Sequence, residues 1–532
     1  MDFVLRLNSA ELGQVFTPAA VADLALALAV EGMDPRARLF DPACGDGVFL
    51  ARARAAGRSA MGIDIDPRCV ELARRHSEPE NVHTADFLAI PPPETLYDAV
   101  IGNPPYIRQE RLADKKAIAA RIAEDFPSLD GRSLSGRSDL ALAFVARSLR
   151  FVRPSGRVSL VVSAALLDAA YGASLAQLLA AAGARVRAVV ASPRERWFPD
   201  AAVNSVILVL ERISEPVPVV AARLRVPVAS VGLSTGLRDL ARVADVREVA
   251  PGAPLMPALR APAVWFAAAA SGALVPLAEL ARVRRGVTSG ANELFYLPRG
   301  DTRGIDPRLL APLLRSPRGI DRIPLEAETL PTLAFVHPGP REELSGAARA
   351  WVDAHEHLAS RPSLAARPRW WSLPARPARL FLTKAYSARF VQPLASAPVI
   401  GDQRLYAVTP RRGVNLALLA AALNGTLAAL ALESLGRASL GEGALEVSVG
   451  DAAALPVLDV RRLDERLVKS AFAPLCRRRL GDVFAEAARP DRRRLDEVLA
   501  AAFPRLLPLV PELAPALAAT VETRLARART FA

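Results

Sequence analysis

Four short apolar runs within the first hundred residues, ARLFD (37–41), SAMGID (59–64), NVHTAD (81–86) and YDAVI (97–101), alternate with stretches of helical character. Parallel strands need a crossover between them, and that crossover is usually a helix, so this rhythm constrains the chain to a mostly parallel sheet. Three of the runs close on an aspartate: Asp41, Asp64 and Asp86. Carboxylates repeated at the same edge of a parallel sheet lie where such sheets bind ligands.

The turn after the first run is CGDG, in which Gly45 and Gly47 remove side chains where a ligand must approach the main chain. The helix VFLARARAAG that follows offers unpaired N–H groups at its start. Asp64 comes about 20 residues later, where a carboxylate can accept both hydroxyls of a ribose. The turn reads D-x-A-C-G-D-G and not G-x-G-x-x-G, which favours an adenosyl cofactor over a dinucleotide: a cationic sulfonium prefers carboxylates to a phosphate cradle. Aspartate also terminates strands and caps helices, and Asp66, followed by Pro67, is read as a cap. Upstream, TPAAVADLALALA predicts a helix with Thr17 as its N-cap and Pro18 in its first turn.

The fourth run leads into Asn103-Pro104-Pro105-Tyr106. Asn103 supplies a carbonyl acceptor; Pro104 lacks an N–H, and Pro105 behind it holds the main chain extended, fixing the direction of the Pro104 carbonyl. Tyr106 offers a flat face. Two acceptors and a stacking ring suit a planar group bearing an NH2, whose nitrogen becomes nucleophilic once both hydrogens are bound and its lone pair is freed. No strong base is required, since the alkylated nitrogen is acidic.

FTPAAVADL, DPACGDGVFL, GIDID, ADF and NPPY, in this order and spacing, resemble the S-adenosylmethionine-dependent N6-adenine DNA methyltransferases, in the group with the cofactor domain first and a target-recognition domain last. The resemblance covers roughly residues 1–212. It implies S-adenosyl-L-methionine as cofactor, with Thr17 against its methionine part, Asp41, Ala43 and Gly45 around its methionine end, Asp64 on the ribose and Ile65 against the adenine. Asp86 and Phe87 would hold that adenine, and Phe144 in DLALAF would pack on it. Asn103 and Pro104 would bind the target amino group, with Pro105 behind them; Tyr106 would stack on an extruded base and Phe198 would contact it from the other side. Extrusion follows from need, because an adenine paired in a duplex cannot reach a buried methyl donor.

The fold expected is therefore α/β: a Rossmann-like, seven-stranded, mostly parallel methyltransferase sheet, followed by a mixed α+β recognition domain and a helical C-terminal extension. The boundaries read from the sequence are 1–212 for the catalytic domain, 213–260 for a connecting segment, 261–462 for recognition and 463–532 for the helical tail. VRAVVAS and SVILVLER are expected to form an antiparallel hairpin at the sheet edge. The second half is similar, more loosely, to the recognition domains of the same group. Its candidate DNA contacts are Arg284, Arg285, Arg369, Trp370, Trp371 and Arg437, with Arg108 and Arg111 after the NPPY stretch. A net charge of +13 fits a double-stranded DNA partner, since arginines on phosphates release counterions; codon bias accounts for the same charge equally well.

Cys44, Cys69 and Cys476 are far apart with no C-x-x-C, which excludes a disulfide framework and a structural zinc site and fits a reducing cytoplasm. The apolar window 261–280 carries Pro262, Pro276 and Glu279 and reads as buried protein, so no membrane partner is expected. Cognate restriction or phage-defence proteins are the other partners the resemblance implies; oligomeric state has no signature here. Two other readings stay open: a methyltransferase of another planar NH2, on protein glutamine or RNA guanine, and a DNA-binding modification subunit without activity of its own.

Overall fold

The computed structural model describes residues 15–106, 115–129, 140–167, 169–193, 195–198, 204–437 and 443–529. The chain forms two compact units, one built on residues 1–260 and the other on 261–438 and 443–524.

In the first unit, helices α1 (Ala19–Val30), α2 (Val48–Ala55), α3 (Pro67–Ala73), α4 (Lys115–Asp125), α5 (Leu140–Phe151) and α6 (Ala169–Ala181) pack on a sheet of nine strands. The strands are β1 (Leu39–Asp41), β2 (Ala60–Asp64), β3 (Val82–Thr84), β4 (Tyr97–Gly102), β5 (Val152–Ser163), β6 (Arg185–Ala191), β7 (Ser205–Glu211), β8 (Val219–Leu224) and β9 (Ala244–Val249). Their spatial order is β3-β2-β1-β4-β5-β7-β6-β8-β9. β3, β2, β1, β4 and β5 run parallel, while β7 runs antiparallel between β5 and β6.

Side-chain alternation divides the core. Leu39, Ala99 and Ile101 pack with α1, α2 and α3, whereas Phe40 and Val100 face the opposite way and pack with α4, α5 and α6. Both faces are thus covered, as a parallel sheet requires. Leu24, Leu26 and Leu28 of α1 are at most 1% exposed. At about 2 kcal/mol each, their burial outweighs what so short an alanine-rich helix could supply by itself.

Three expectations are corrected. The sheet has nine strands instead of seven, because residues 213–260, read as a connector, supply β8 and β9. Their alternating valines look like linker composition until β6 offers a free edge to pair with. For the same reason β6 and β7 are an interior pair and not an edge hairpin. Helix α1 starts at Ala19 with Pro18 at the cap position and no side-chain cap, so Thr17 lies outside the helix. Asp66, by contrast, caps α3 by accepting from the Arg68 N–H, with Pro67 in the first turn.

The second unit is mixed α+β. Its eight-stranded sheet includes Ala281–Arg285, Tyr296–Pro298, Thr332–Phe335, Ala378–Thr383, Leu394–Gly401 and Leu405–Pro410. From Glu465 onward the regular structure is helical, with helices Glu465–Arg477, Pro490–Ala500 and Val510–Arg529 the longest. No single described helix is long and apolar enough to cross a membrane.

Candidate active site

The connection from β1 leads to β2 on one side, and that from β4 leads to β5 on the other, so β1 and β4 flank the point where the strand order reverses. Ligands of open α/β sheets bind at the carboxyl ends of strands at such a point. Asp41 ends β1 and Asn103 directly follows β4. The two strand ends approach so closely that a Cβ on Gly102 would lie 2.6 Å from Asp41 Oδ1. Any other residue would have to displace the Asp41 carboxylate. Gly102 was not singled out from sequence, although its place between an apolar strand and NPPY was a signal.

Asp41 is fully buried; its Oδ1 accepts from the Ala43 N–H at 3.1 Å and its Oδ2 has no partner among the described residues. Burial pushes its carboxyl well above the usual range, the Ala43 N–H opposes this, and the neighbouring Asp64 and Asp46 charges add to it. Asp64 is also raised by burial, against hydrogen bonds donated by the N–H groups of Asp66 and Gly45, each at 2.9 Å. Two buried carboxylates, one with an orphaned oxygen, form a site short of a cation. Gly45 and Gly47 both adopt positive φ, +54° and +88°, and a Cβ on Gly47 would lie 2.7 Å from Ala73 Cα. The CGDG turn therefore has two conformational reasons for glycine besides any ligand.

Beside the turn, Thr17 is buried and Phe16 is 54% exposed, its ring 3.9 Å from where a Gly45 Cβ would stand. Phe16, adjacent to Thr17 in FTP, is a site residue that sequence reasoning passed over. Ile65 is half-buried and follows the Asp64 carboxylate. Asp86 is exposed two residues beyond the end of β3 and accepts from the Leu88 N–H at 2.9 Å. Phe87 and Phe144 lie at 2% and 7% exposure, with ring centroids 5.2 Å apart, and Phe87 also contacts Phe40 and Phe151. They form the wall behind the strand ends. That wall is fixed by the fully buried Arg147 of α5, which pairs with Asp125 at 2.6 Å, donates to the Ile90 carbonyl and lies over the Phe87 and Phe151 rings.

Asn103 Nδ2 donates to the Val15 carbonyl at 3.0 Å, while its Oδ1 is buried with no partner among the described residues. Pro104 is buried, and Pro105 and Tyr106 are half-buried. The Tyr106 hydroxyl lies 3.3 Å from the Val161 carbonyl and 3.4 Å from Ser205 Oγ, and its ring meets Phe198 edge-on at 6.0 Å. Phe198 is 2% exposed. All fourteen residues proposed for catalysis and cofactor binding thus belong to the first unit, and Asn103, Tyr106 and Phe198 converge on one place.

The nucleic-acid candidates scatter more. Arg108 and Arg111 lie outside the described residues. Arg284 is half-buried and Arg285 exposed at the end of the strand Ala281–Arg285. Arg369 donates to the Pro338 carbonyl; Trp370 and Trp371 pack against the core of the second unit; Arg437 forms an ion pair with Asp451 at 3.0 Å. Each of these side chains is engaged by its own unit, which a linear list of arginines and tryptophans cannot reveal.

Residues 79–191 match the model of the Eco57I restriction-modification methylase family, and residues 40–103 match the model named Methyltransferase domain. The chain is 27% identical over 294 residues to the Type II methyltransferase M.XamI of Xanthomonas campestris pv. amaranthicola, covering 53% of each. It is 32% identical over 163 residues to the Type II methyltransferase M.TthHB8I of Thermus thermophilus, covering 29% of this chain and 36% of that protein. The chain thus spans about half or less of these relatives. The structure resembles that of the Type IIL restriction-modification enzyme MmeI in complex with DNA, with a TM-score of 0.52 over 92% of this chain and 71% of that one, at 13% identity.

Proposed function

We propose, from a chain whose first unit is a methyltransferase domain of the restriction-modification type, that it transfers a methyl group from S-adenosylmethionine to the N6 amino group of an adenine in a specific duplex DNA sequence. The observation that carries this reading is Asn103: an amide whose donor is already held by the protein and whose buried acceptor waits for an external N–H. Burying a carbonyl oxygen unpaired costs about 1–3 kcal/mol, and a bound amino group would relieve it.

Asp41 and Asp64 would hold the cofactor, with Ala43 and Gly45 lining the turn and Ile65, Asp86, Phe87 and Phe144 around its adenine. When bound, the cofactor supplies an electrophilic methyl on a sulfonium; the unsatisfied Asp41 carboxylate fits that positive charge. Asn103 Oδ1 and the Pro104 carbonyl accept the two hydrogens of the target amino group, directing its lone pair. Pro105 keeps that carbonyl in place, and Tyr106 and Phe198 bracket the extruded ring. Stacking and hydrogen bonding to a flipped base together offset its unpairing, a few kcal/mol. The second unit would bring DNA to this site and read its sequence.

The test is to incubate the full chain with labelled S-adenosylmethionine and unmethylated duplex DNA, digest to nucleosides and identify the labelled one. Label in N6-methyladenine at a fixed sequence is expected. Label in cytosine overturns the base assignment, and label entering protein or RNA in place of DNA overturns the reading.

A further inference from the structure

In the second unit, two loops leave one end of the sheet side by side: residues 286–290 after the strand Ala281–Arg285, and residues 402–404 between the strands Leu394–Gly401 and Leu405–Pro410. Their main chains are locked together. Gly286 N–H donates to the Leu405 carbonyl at 2.9 Å and Val287 N–H to the Gly401 carbonyl at 2.8 Å. A Cβ on Gly286 would stand 2.2 Å from the Asp402 carbonyl oxygen, so only glycine permits this approach. The buried Asp402 carboxylate accepts from the Tyr296 hydroxyl at 2.9 Å and the Arg404 N–H at 3.2 Å, and Arg367 donates to the Thr288 and Ser289 carbonyls. The platform is rigid, yet the side chains it carries are open: Arg285, Thr288 and Arg404 are exposed and Gln403 is half-buried.

Between the loops, Gln403 Oε1 accepts from Arg285 Nη2 at 3.1 Å and from Thr288 Oγ1 at 3.3 Å. Arg308, Arg341, Arg361, Arg437 and Arg461 of the same unit each take a carboxylate, whereas Arg285 takes a neutral amide. Among the described residues Arg285 has no carboxylate partner. A neutral amide orients its guanidinium plane without neutralising it and leaves the rest of the fork available. With its oxygen used, the Gln403 amide presents only N–H groups, so the pair is a fixed array of donors. In the DNA major groove the base edge offering two adjacent acceptors and no donor is guanine, through O6 and N7.

We infer that Arg285, held by Gln403, reads a guanine of the recognised duplex. Arg285 is the contacting residue, donating to O6 and N7, and Gln403 positions it. The inference rests on the DNA-methylating reading above.

The test uses the full chain and its Arg285→Ala, Arg285→Lys and Gln403→Ala variants, each given S-adenosylmethionine and a randomised duplex library. Methylated positions are sequenced, and bound duplexes are selected in parallel. The wild type is expected to require guanine at one position. Each variant should lose roughly 10- to 100-fold of that preference while the rest of the motif persists. Arg285→Lys keeps the charge, so losing the preference in it separates base reading from attraction to phosphate. A wild-type motif without an invariant guanine, variants that retain it, or variants that weaken all duplexes equally would overturn the inference and leave the methylating function standing. If the wild type neither methylates nor enriches any duplex, the function falls and this assignment with it.

Discussion

Asn103 is held by Val15: its amide Nδ2 donates to the Val15 carbonyl at 3.0 Å, and the buried amide oxygen is left, among the described residues, with nothing to accept from. The chain segment preceding α1 thus presets a side chain 88 residues away. Asn103→Ala removes the acceptor without disturbing Asp41 or Asp64, so turnover should fall about 10²- to 10³-fold with cofactor affinity unchanged. Asn103→Asp should be as poor, because its carboxylate would face the Val15 carbonyl. Single-turnover methylation and calorimetric cofactor titration separate the two effects.

Asp41 gives a prediction in pH. Burial in the free protein disfavours the ionised form of Asp41, whereas a sulfonium favours it. Affinity for S-adenosylmethionine should therefore rise as pH rises through the raised value, with a proton released on binding. S-adenosylhomocysteine, which lacks the sulfonium charge and keeps only its α-ammonium, should show a shallower dependence. The stability of the free protein runs oppositely: Asp41 costs nothing below the ordinary carboxylate range and destabilises as pH rises through its own raised pKa. Asp41→Asn should then stabilise the free chain at pH 7, by on the order of 1 kcal/mol, while weakening cofactor binding at least tenfold; melting and titration measure both.

Much of this site was legible because its residues sit at strand ends, and strand ends follow from hydrophobic runs that stop. Asp41 and Asp64 are the last residues of β1 and β2, and Asn103 follows β4 directly. What was illegible depended on tertiary partners. Val219–Leu224 reads as valine- and alanine-rich connector until β6 is there to pair with it. Phe16 gains its place from the turn at Gly45, which lies near its ring, and the internal ion pair of Arg437 needs Asp451 from a separate element. Gln403, with no local pattern around it, gains its meaning from Arg285, 118 positions away.

Tyr106 and Phe198 meet edge-on at 6.0 Å, and the Tyr106 hydroxyl reaches Val161 and Ser205. If the ring itself stacks on an extruded base, Tyr106→Phe should retain most of the activity and Tyr106→Ala should lose on the order of 1–3 kcal/mol of stacking, a roughly 10- to 100-fold loss. A duplex carrying 2-aminopurine at the target should brighten on binding wild-type protein and Tyr106→Phe. The Tyr106→Ala complex should brighten further or release the base, since an unstacked fluorophore is quenched less.

Glu486 anchors the helical part of the second unit. Its carboxylate accepts from Arg478 Nη1 and Nη2 at 2.6 and 2.7 Å, from the Gly481 N–H at 2.9 Å and from Arg492 Nη2 at 3.2 Å. Burial alone would raise its pKa, but the Arg478 hydrogen bonds, the Gly481 N–H and the two arginine charges outweigh burial and lower it to about 2. A depressed pKa stabilises the folded state above the ordinary glutamate value and ceases to do so as pH falls through about 2. Glu486→Gln takes the carboxylate from Arg492 and leaves Arg478 with Asp491 alone, which should cost about 3 kcal/mol at pH 7. Below pH 4 the gap between wild type and variant should narrow, since the wild-type carboxylate then begins to lose its advantage. Urea unfolding at pH 7 and at pH 3 checks both signs, and a gap that widens on acidification would show that the arginines, and not the Glu486 charge, hold these helices.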